Sequence, residues 1–333
     1  MPRHNPNSIS IGLTMLEASR LLARLRRQFA KTGVLDVGFG TAKKNNRFNP
    51  ARGRCVVFIV PRKKKETKLP KELVLPKKIS TSVIRAGKRQ SLQLPTDVIQ
   101  RSGRIRPTGY QTRPIGTNTG VTSGVVVRWK TNSPGSIDQW GVITVSHFLP
   151  ATSSSAIDRL VSIEPNSNQT ILGEEMVRLP KSGKVDAVLL RVNSADLESF
   201  GLTSPDGSSV RTFFDIADDG GKPGRSYPHD QLTVGFTFAA GHYRESISSD
   251  GSDQWVWKDV LVAEGVDQDF KSGRSGVVWK RLGQVTAIQV AGDSPKYRVG
   301  YGQVFSVVWQ KICNAAVAKG IASQNSMKIV CTF

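Results

Sequence analysis

Cysteine is scarce in this chain: Cys55, Cys313 and Cys331 are odd in number, widely scattered and show no Cys-x-x-Cys spacing. Little is there to build a disulfide framework, and only Cys313 and Cys331, both near the C-terminus, are placed to pair. A reducing, cytoplasmic setting is the simplest expectation. Histidine is rare as well, with four residues, and the carboxylates show no metal-ligand spacing, so no metal and no other cofactor is expected. No apolar run approaches the 18 residues of a membrane-spanning helix. The opening Met-Pro-Arg-His-Asn-Pro lacks the apolar core of a secretory signal, although an arginine-rich, acid-poor start leaves an organelle transit peptide open.

Acidic residues are missing from one end only. Residues 1–130 hold 28 Lys and Arg against 5 Asp and Glu, a net of +23, whereas the remaining 203 residues hold 19 against 21, a net of −2. The excess positive charge therefore sits in the first two-fifths of the chain, and a domain boundary is expected near residues 103–115. A charge of that size attracts polyanions through counterion release, so nonspecific contact with nucleic acid, an anionic surface or an acidic protein is expected through residues 1–105. Aromatic residues are sparse between those charges, and no nucleic-acid motif is present, which argues against sequence-specific readout.

Within the basic part, Met15, Ala18, Leu22, Leu25 and Phe29 recur at spacings of 3 and 4, which predicts an amphipathic helix over residues 14–30. Thr14 with Glu17 fits a capping box at its start, and Gly33 stops it. Val34–Gly40 and Cys55–Val60 read as strands, and Ser82–Arg85 with Ser91–Leu94 as a hairpin turning at Ala86-Gly87-Lys88. Between them lie Arg62-Lys-Lys-Lys65 and a Pro/Lys-rich loop, so residues 1–105 form a small α+β domain.

From about residue 110 the texture changes to short apolar runs separated by Gly, Ser, Asn and Pro clusters. With 31 glycines and 17 prolines against 38% hydrophobic residues, a mainly β domain is expected over residues 110–333. Strands are expected at Val121–Trp129, Gln139–Val145, Ala187–Val192, Trp255–Ala263, Gly276–Trp279, Gln284–Val290 and Gln303–Trp309, with a closing helix over Gln310–Ile321. Residues 193–229 form a long polar connection.

Three of these runs carry chemistry-bearing residues. His147 closes Gly-Val-Ile-Thr-Val-Ser-His, Asp186 sits in Lys-Val-Asp-Ala-Val-Leu-Leu, and Ser275 lies in Ser-Gly-Arg-Ser-Gly-Val-Val ahead of a strand. A serine hydroxyl becomes a nucleophile when a base takes its proton, and the base needs a third group to orient it. The order His, Asp, Ser, with gaps of 39 and 89 residues, resembles that of the trypsin-like serine endopeptidases. Lys222-Pro-Gly-Arg, followed by Leu232-Thr-Val-Gly-Phe, is similar to a segment of bacterial members. The resemblance covers roughly residues 110–325. The N-terminal runs Gly33–Gly40, Val56–Lys63 and Leu94–Val98 are similar to the module preceding the protease domain in bacterial and plant members, the narrow-leaf family included.

The resemblance implies a double β-barrel with the active site in the cleft between two six-stranded barrels, and a peptide or protein as substrate. It implies His147 as base, Asp186 as its orienting partner, Ser275 as nucleophile, and the backbone N–H groups of Gly273 and Ser275 as oxyanion donors. Asp269 falls where trypsin carries the acid that binds basic side chains; a one-residue shift puts Phe270 there and favours apolar ones. The chain departs from the family's Gly-Asp-Ser-Gly-Gly, since Arg274 replaces the aspartate and Val277 the last glycine, so activation through a freed N-terminus is not expected. A protease-fold binding protein without turnover, recruited to polyanions, is the rival expectation.

Overall fold

The computed structural model describes residues 13, 15–44, 47–48, 54–100, 104–106, 112–115, 120–149, 160–166, 169–211, 223–227, 234–248, 256–265, 275–294 and 299–332. The expected first helix forms as α1 (Met15–Phe29). Its residues Ala18, Leu21, Leu22, Leu25 and Phe29 are buried, which is the expected stripe from Ala18 onward widened by Leu21; the side chain of Met15 lies outside what is described. Gly33, at φ +77°, ends the short turn after the helix in a left-handed conformation. Thr14 of the expected capping box lies outside the described residues.

Beyond α1 come β1 (Asp36–Thr41), β2 (Lys43–Lys44), β3 (Arg47–Phe48), β4 (Arg54–Val60), β5 (Lys78–Arg85), β6 (Lys88–Gln100) and β7 (Arg104–Arg106). Arg26 ties the helix to the first strand through Nη2, 2.7 Å from Asp36 Oδ1. Ala86 and Gly87 both take positive φ, 48° and 75°, as a two-residue hairpin turn between β5 and β6 requires. Along β4, alternation sends Val56 and Phe58 to one apolar cluster and Cys55, Val57 and Ile59 to another.

Next follow β8 (Thr112–Pro114), β9 (Val125–Trp129), β10 (Gln139–Thr144), β11 (Leu160–Asn166), β12 (Gln169–Arg178) and β13 (Val188–Val192). Their sheet runs β9-β10-β13-β12-β11-β8, and the bridge between Thr112 of β8 and Val121, just ahead of β9, closes it into a ring. After a short helix, α2 (Ser194–Ser199), come β14 (Ser209–Val210), β15 (Pro223–Tyr227), β16 (Val234–Ser248), β17 (Val256–Gly265), β18 (Val278–Arg281), β19 (Gln284–Ser294) and β20 (Val299–Val304). Six of these pair in the order β15-β18-β19-β20-β17-β16, and β15 also pairs β16, so a second ring closes. The architecture is a double β-barrel. It ends in α3 (Phe305–Ala318) and β21 (Lys328–Thr332), which adds to β9.

Two details differ from expectation. Residues 305–309, read as strand, open α3, because Phe305, Val308, Ile312 and Ala316 bury one helical face at spacings of 3 and 4. Period-2 and period-3.6 readings coincide over so short an apolar run. All three cysteines are free thiols, so Cys313 and Cys331 do not pair.

The basic N-terminal part is built into the second barrel. β1 pairs β16, extending that sheet through β4, β6 and β5. Residues of α1, β1 and β4 share one apolar cluster with Leu261, Ala263, Val277, Trp279, Ala287 and Val304. A separate and larger cluster joins the two barrels and α3. No helix among the described residues is long and apolar enough to cross a membrane.

Candidate active site

The paired strands β10 and β13 set the first half of the site. Their antiparallel register ends at Thr144 opposite Val188, so the residues just after Thr144 and just before Val188 emerge at the same end of the first barrel. Those residues are Ser146, His147 and Asp186. The turn after β10, closed by Leu149 N–H on the Ser146 carbonyl at 3.0 Å, presents the imidazole to the carboxylate. His147 Nδ1 lies 2.5 Å from Asp186 Oδ2.

The carboxylate is fully buried and heavily solvated by protein donors. Oδ1 accepts from Ser146 N–H at 2.6 Å, the Ser146 hydroxyl at 2.9 Å and His147 N–H at 2.9 Å. Oδ2 also accepts from Trp257 Nε1–H of β17 at 3.1 Å. Burial pushes the Asp186 carboxyl up. The His147 imidazole and the hydrogen bonds from His147 and Ser146 outweigh it and hold the group below the usual carboxylate range. Behind it, Asp186 N–H donates to Gln303 Oε1 at 2.8 Å, and Gln303 Nε2 donates to the carbonyls of Lys184 and Lys258. The first barrel thus supplies the His–Asp pair, and the second clamps it through Trp257 and Gln303. Neither clamp is visible in the sequence: they lie 71 and 117 residues from Asp186, with no local motif.

Ser275 enters from the second barrel, in the turn before β18. Its carbonyl accepts from Thr122 N–H at 2.6 Å, and Thr144 Oγ1–H donates to the Thr122 carbonyl at 2.7 Å, three residues before His147. The next residue, Gly276, has φ +95°, and a Cβ there would overlap the Thr122 carbonyl oxygen. Only glycine lets the two barrels approach so closely at this turn. Gly276 N–H and the Val277 carbonyl both bond the backbone of Gln289 on β19, at 2.7 and 2.8 Å. The Ser275 hydroxyl is enclosed and donates to the Val290 carbonyl at 3.0 Å.

His147 and Asp186 are therefore brought into direct contact, and Ser275 is held at the same inter-barrel seam. Gly273, Arg274, Asp269 and Phe270 lie outside the described residues. Among the described residues no three His, Cys, Asp or Glu side chains group as metal ligands.

Two closed barrels thus meet at a buried His–Asp pair. Solved structures that match the chain include serine proteases. Protease A of Thermobifida fusca has 12% identity and a TM-score of 0.38, over 68% of this chain and 98% of that one. A glutamic acid-specific serine protease has 10% identity and a TM-score of 0.38, over 62% and 96%. The active form of a protease from M. tuberculosis has 16% identity and a TM-score of 0.33, over 61% and 82%. No protein-family model and no curated protein matches the sequence.

Proposed function

We propose that the chain is a serine endopeptidase working through His147, Asp186 and Ser275. The observation that supports this best is the fully buried Asp186 carboxyl, held below the usual carboxylate range, on His147 Nδ1 at 2.5 Å. In this reading the ring proton sits on Nδ1, facing the carboxylate, and Nε2 is the base. Ser275 Oγ turns from the Val290 carbonyl to the imidazole, which takes its proton as oxygen attacks the scissile carbonyl. The same proton then passes to the leaving amine, and water repeats the sequence on the acyl-enzyme. The backbone N–H groups of Gly273 and Ser275 hold the oxyanion, each donor being worth about 3–4 kcal/mol. Asp269 is the residue we assign to basic substrate side chains.

Residues 1–105 act in this proposal as a targeting module for polyanions or acidic proteins. The exposed run Arg62–Lys65 supports that part. Free thiols at Cys55, Cys313 and Cys331 support a reducing, intracellular setting.

A second reading, a protease-fold binding protein without turnover, is favoured by one observation: the Ser275 hydroxyl is enclosed and engaged by Val290. Labelling with a fluorophosphonate separates the two. Turnover requires labelling of the native chain that Ser275→Ala abolishes and His147→Ala suppresses. Equal signal in all three chains, or none in any, favours the binding protein.

A further inference from the structure

β19 has two edges. One is taken by β20, with Ile288 opposite Gln303 and Gly292 opposite Gly300. The other starts against β18, where Ile288 faces Val278, and continues through the Gly276 and Val277 backbone bonds to Gln289. It then reaches Val290, whose carbonyl accepts the Ser275 hydroxyl. Two residues further along, this edge is taken again, by β7: Arg106 faces Gly292, Ile105 faces Asp293 and Arg104 faces Ser294. Because the pairing is antiparallel, the end of β7 nearest the nucleophile is its C-terminal end. At about 3.3 Å per residue, Arg106 lies only about 7 Å along the edge from Val290.

A peptide that brings a carbonyl to Ser275 while lying extended beside β19 needs the backbone groups of Gly292–Ser294. The chain's own strand already holds them. We propose that β7 is a built-in competitor for the peptide-binding edge: it holds the protein in a self-blocked state, and an extended peptide substrate enters by replacing it. This inference rests on the endopeptidase reading. Unlike a cleaved propeptide, the block is reversible and needs no covalent bond broken, since β7 is held on β19 by strand pairing. It also agrees with Arg274, which removes the aspartate through which a freed N-terminus could switch the site on.

The test uses the full chain, with hydrolysis of fluorescein-labelled casein to read the peptide edge. Fluorophosphonate labelling of Ser275 reads the nucleophile, because so small a probe does not need the edge. Adjacent strand residues point their N–H groups to opposite sides, so of Ile105→Pro and Arg106→Pro at least one removes a donor to β19. Losing one or two backbone bonds should raise casein kcat/KM about tenfold in that variant, with labelling changed less than twofold. The opposite perturbation is Ile105→Cys with Asp293→Cys, at facing positions. The oxidised chain should hydrolyse casein at least tenfold more slowly than after reduction. Failure of the two thiols to bridge, or equal rates before and after reduction with labelling intact, would overturn the block while leaving the endopeptidase reading standing. Wild-type casein rates in both proline variants, with labelling intact, would do the same. Absence of Ser275-dependent labelling in every chain would remove the endopeptidase reading, and this inference with it.

Discussion

Asp186→Asn removes one charge and exchanges one oxygen for an NH2 group, and the structure fixes which one. Three donors, Ser146 N–H, the Ser146 hydroxyl and His147 N–H, converge on Oδ1, so the amide oxygen must stay there. The NH2 then takes the Oδ2 position, facing Trp257 Nε1–H and His147 Nδ1. Two consequences follow. Trp257, fully buried, is left with its N–H against another donor, at a cost of about 1–3 kcal/mol in stability. His147 must accept at Nδ1, which moves its proton to Nε2, the nitrogen that should act as base. The imidazolium also loses its counter-charge. A wrong tautomer of this kind costs about 10⁴ in turnover, or about 5.5 kcal/mol of transition-state stabilisation. Casein hydrolysis and fluorophosphonate labelling, with circular dichroism to confirm folding, would measure it. A folded Asp186→Asn protein retaining activity within tenfold of wild type would refute the role of this contact in orienting the base.

The remaining expectations concern support of the site. Gly276→Ala forces a side chain into a left-handed backbone against the Thr122 carbonyl and should destabilise by about 3 kcal/mol, read as a lower urea midpoint. Gln303→Leu removes the acceptor of the buried Asp186 N–H, and a loss of about 1–3 kcal/mol is expected with kcat falling more than KM changes. The Asp186 carboxyl titrates below its usual range in the folded chain, so its stabilisation is complete above that range and is lost as pH falls from it through the lowered folded value. Wild-type stability should therefore drop below about pH 4 more steeply than that of Asp186→Asn. Neutralising Arg62, Lys63, Lys64 and Lys65 together should lower the log–log salt slope of heparin binding by about 3, and an unchanged slope would move the polyanion contact elsewhere.

The parts legible in the sequence were those with local signatures. Val34–Gly40, the unbroken apolar run Cys55–Val60 ended by Pro61, and the Ala86-Gly87 turn are local signals, and they form β1, β4 and the β5–β6 hairpin. His147 and Asp186 were readable because each sits at the end of an apolar run. Their contact follows once β10 and β13 are known to pair. What could not be read depends on register between distant segments. Trp257 and Gln303 clamp Asp186 only because β17 and β20 pair, with Val260 opposite the sequence-distant Gln303. The pairing of β7 with β19 joins residues nearly 190 apart, and Arg-Ile-Arg has no signature of its own. Long-range strand pairing is specified by the whole core, so it leaves little trace in any one segment.

The charge split and the packing divide the molecule differently, and this has a consequence for Ser275. Charge separates the first 130 residues from the rest, yet α1, β1 and β4 supply one wall of the cluster that encloses Val277 and Trp279, two and four residues beyond Ser275. Leu22, Leu25, Val37, Phe39, Val56 and Phe58 are all essentially inaccessible there. A fragment beginning at residue 110 would expose Leu261, Ala263, Val277 and Trp279 together and lose β1 from the edge of β16. It should be insoluble or unfolded rather than an active core. Within the intact chain, Leu25→Ala should cost about 2–5 kcal/mol, although Leu25 lies 250 residues from Ser275. Hydrogen exchange would show where that cost falls. Faster exchange at Gln289 N–H, which bonds the Val277 carbonyl, would mean that the basic part braces the Ser275 turn. Exchange confined to α1 and β4 would mean that it does not, and that the shared cluster is continuous in space but not in stability.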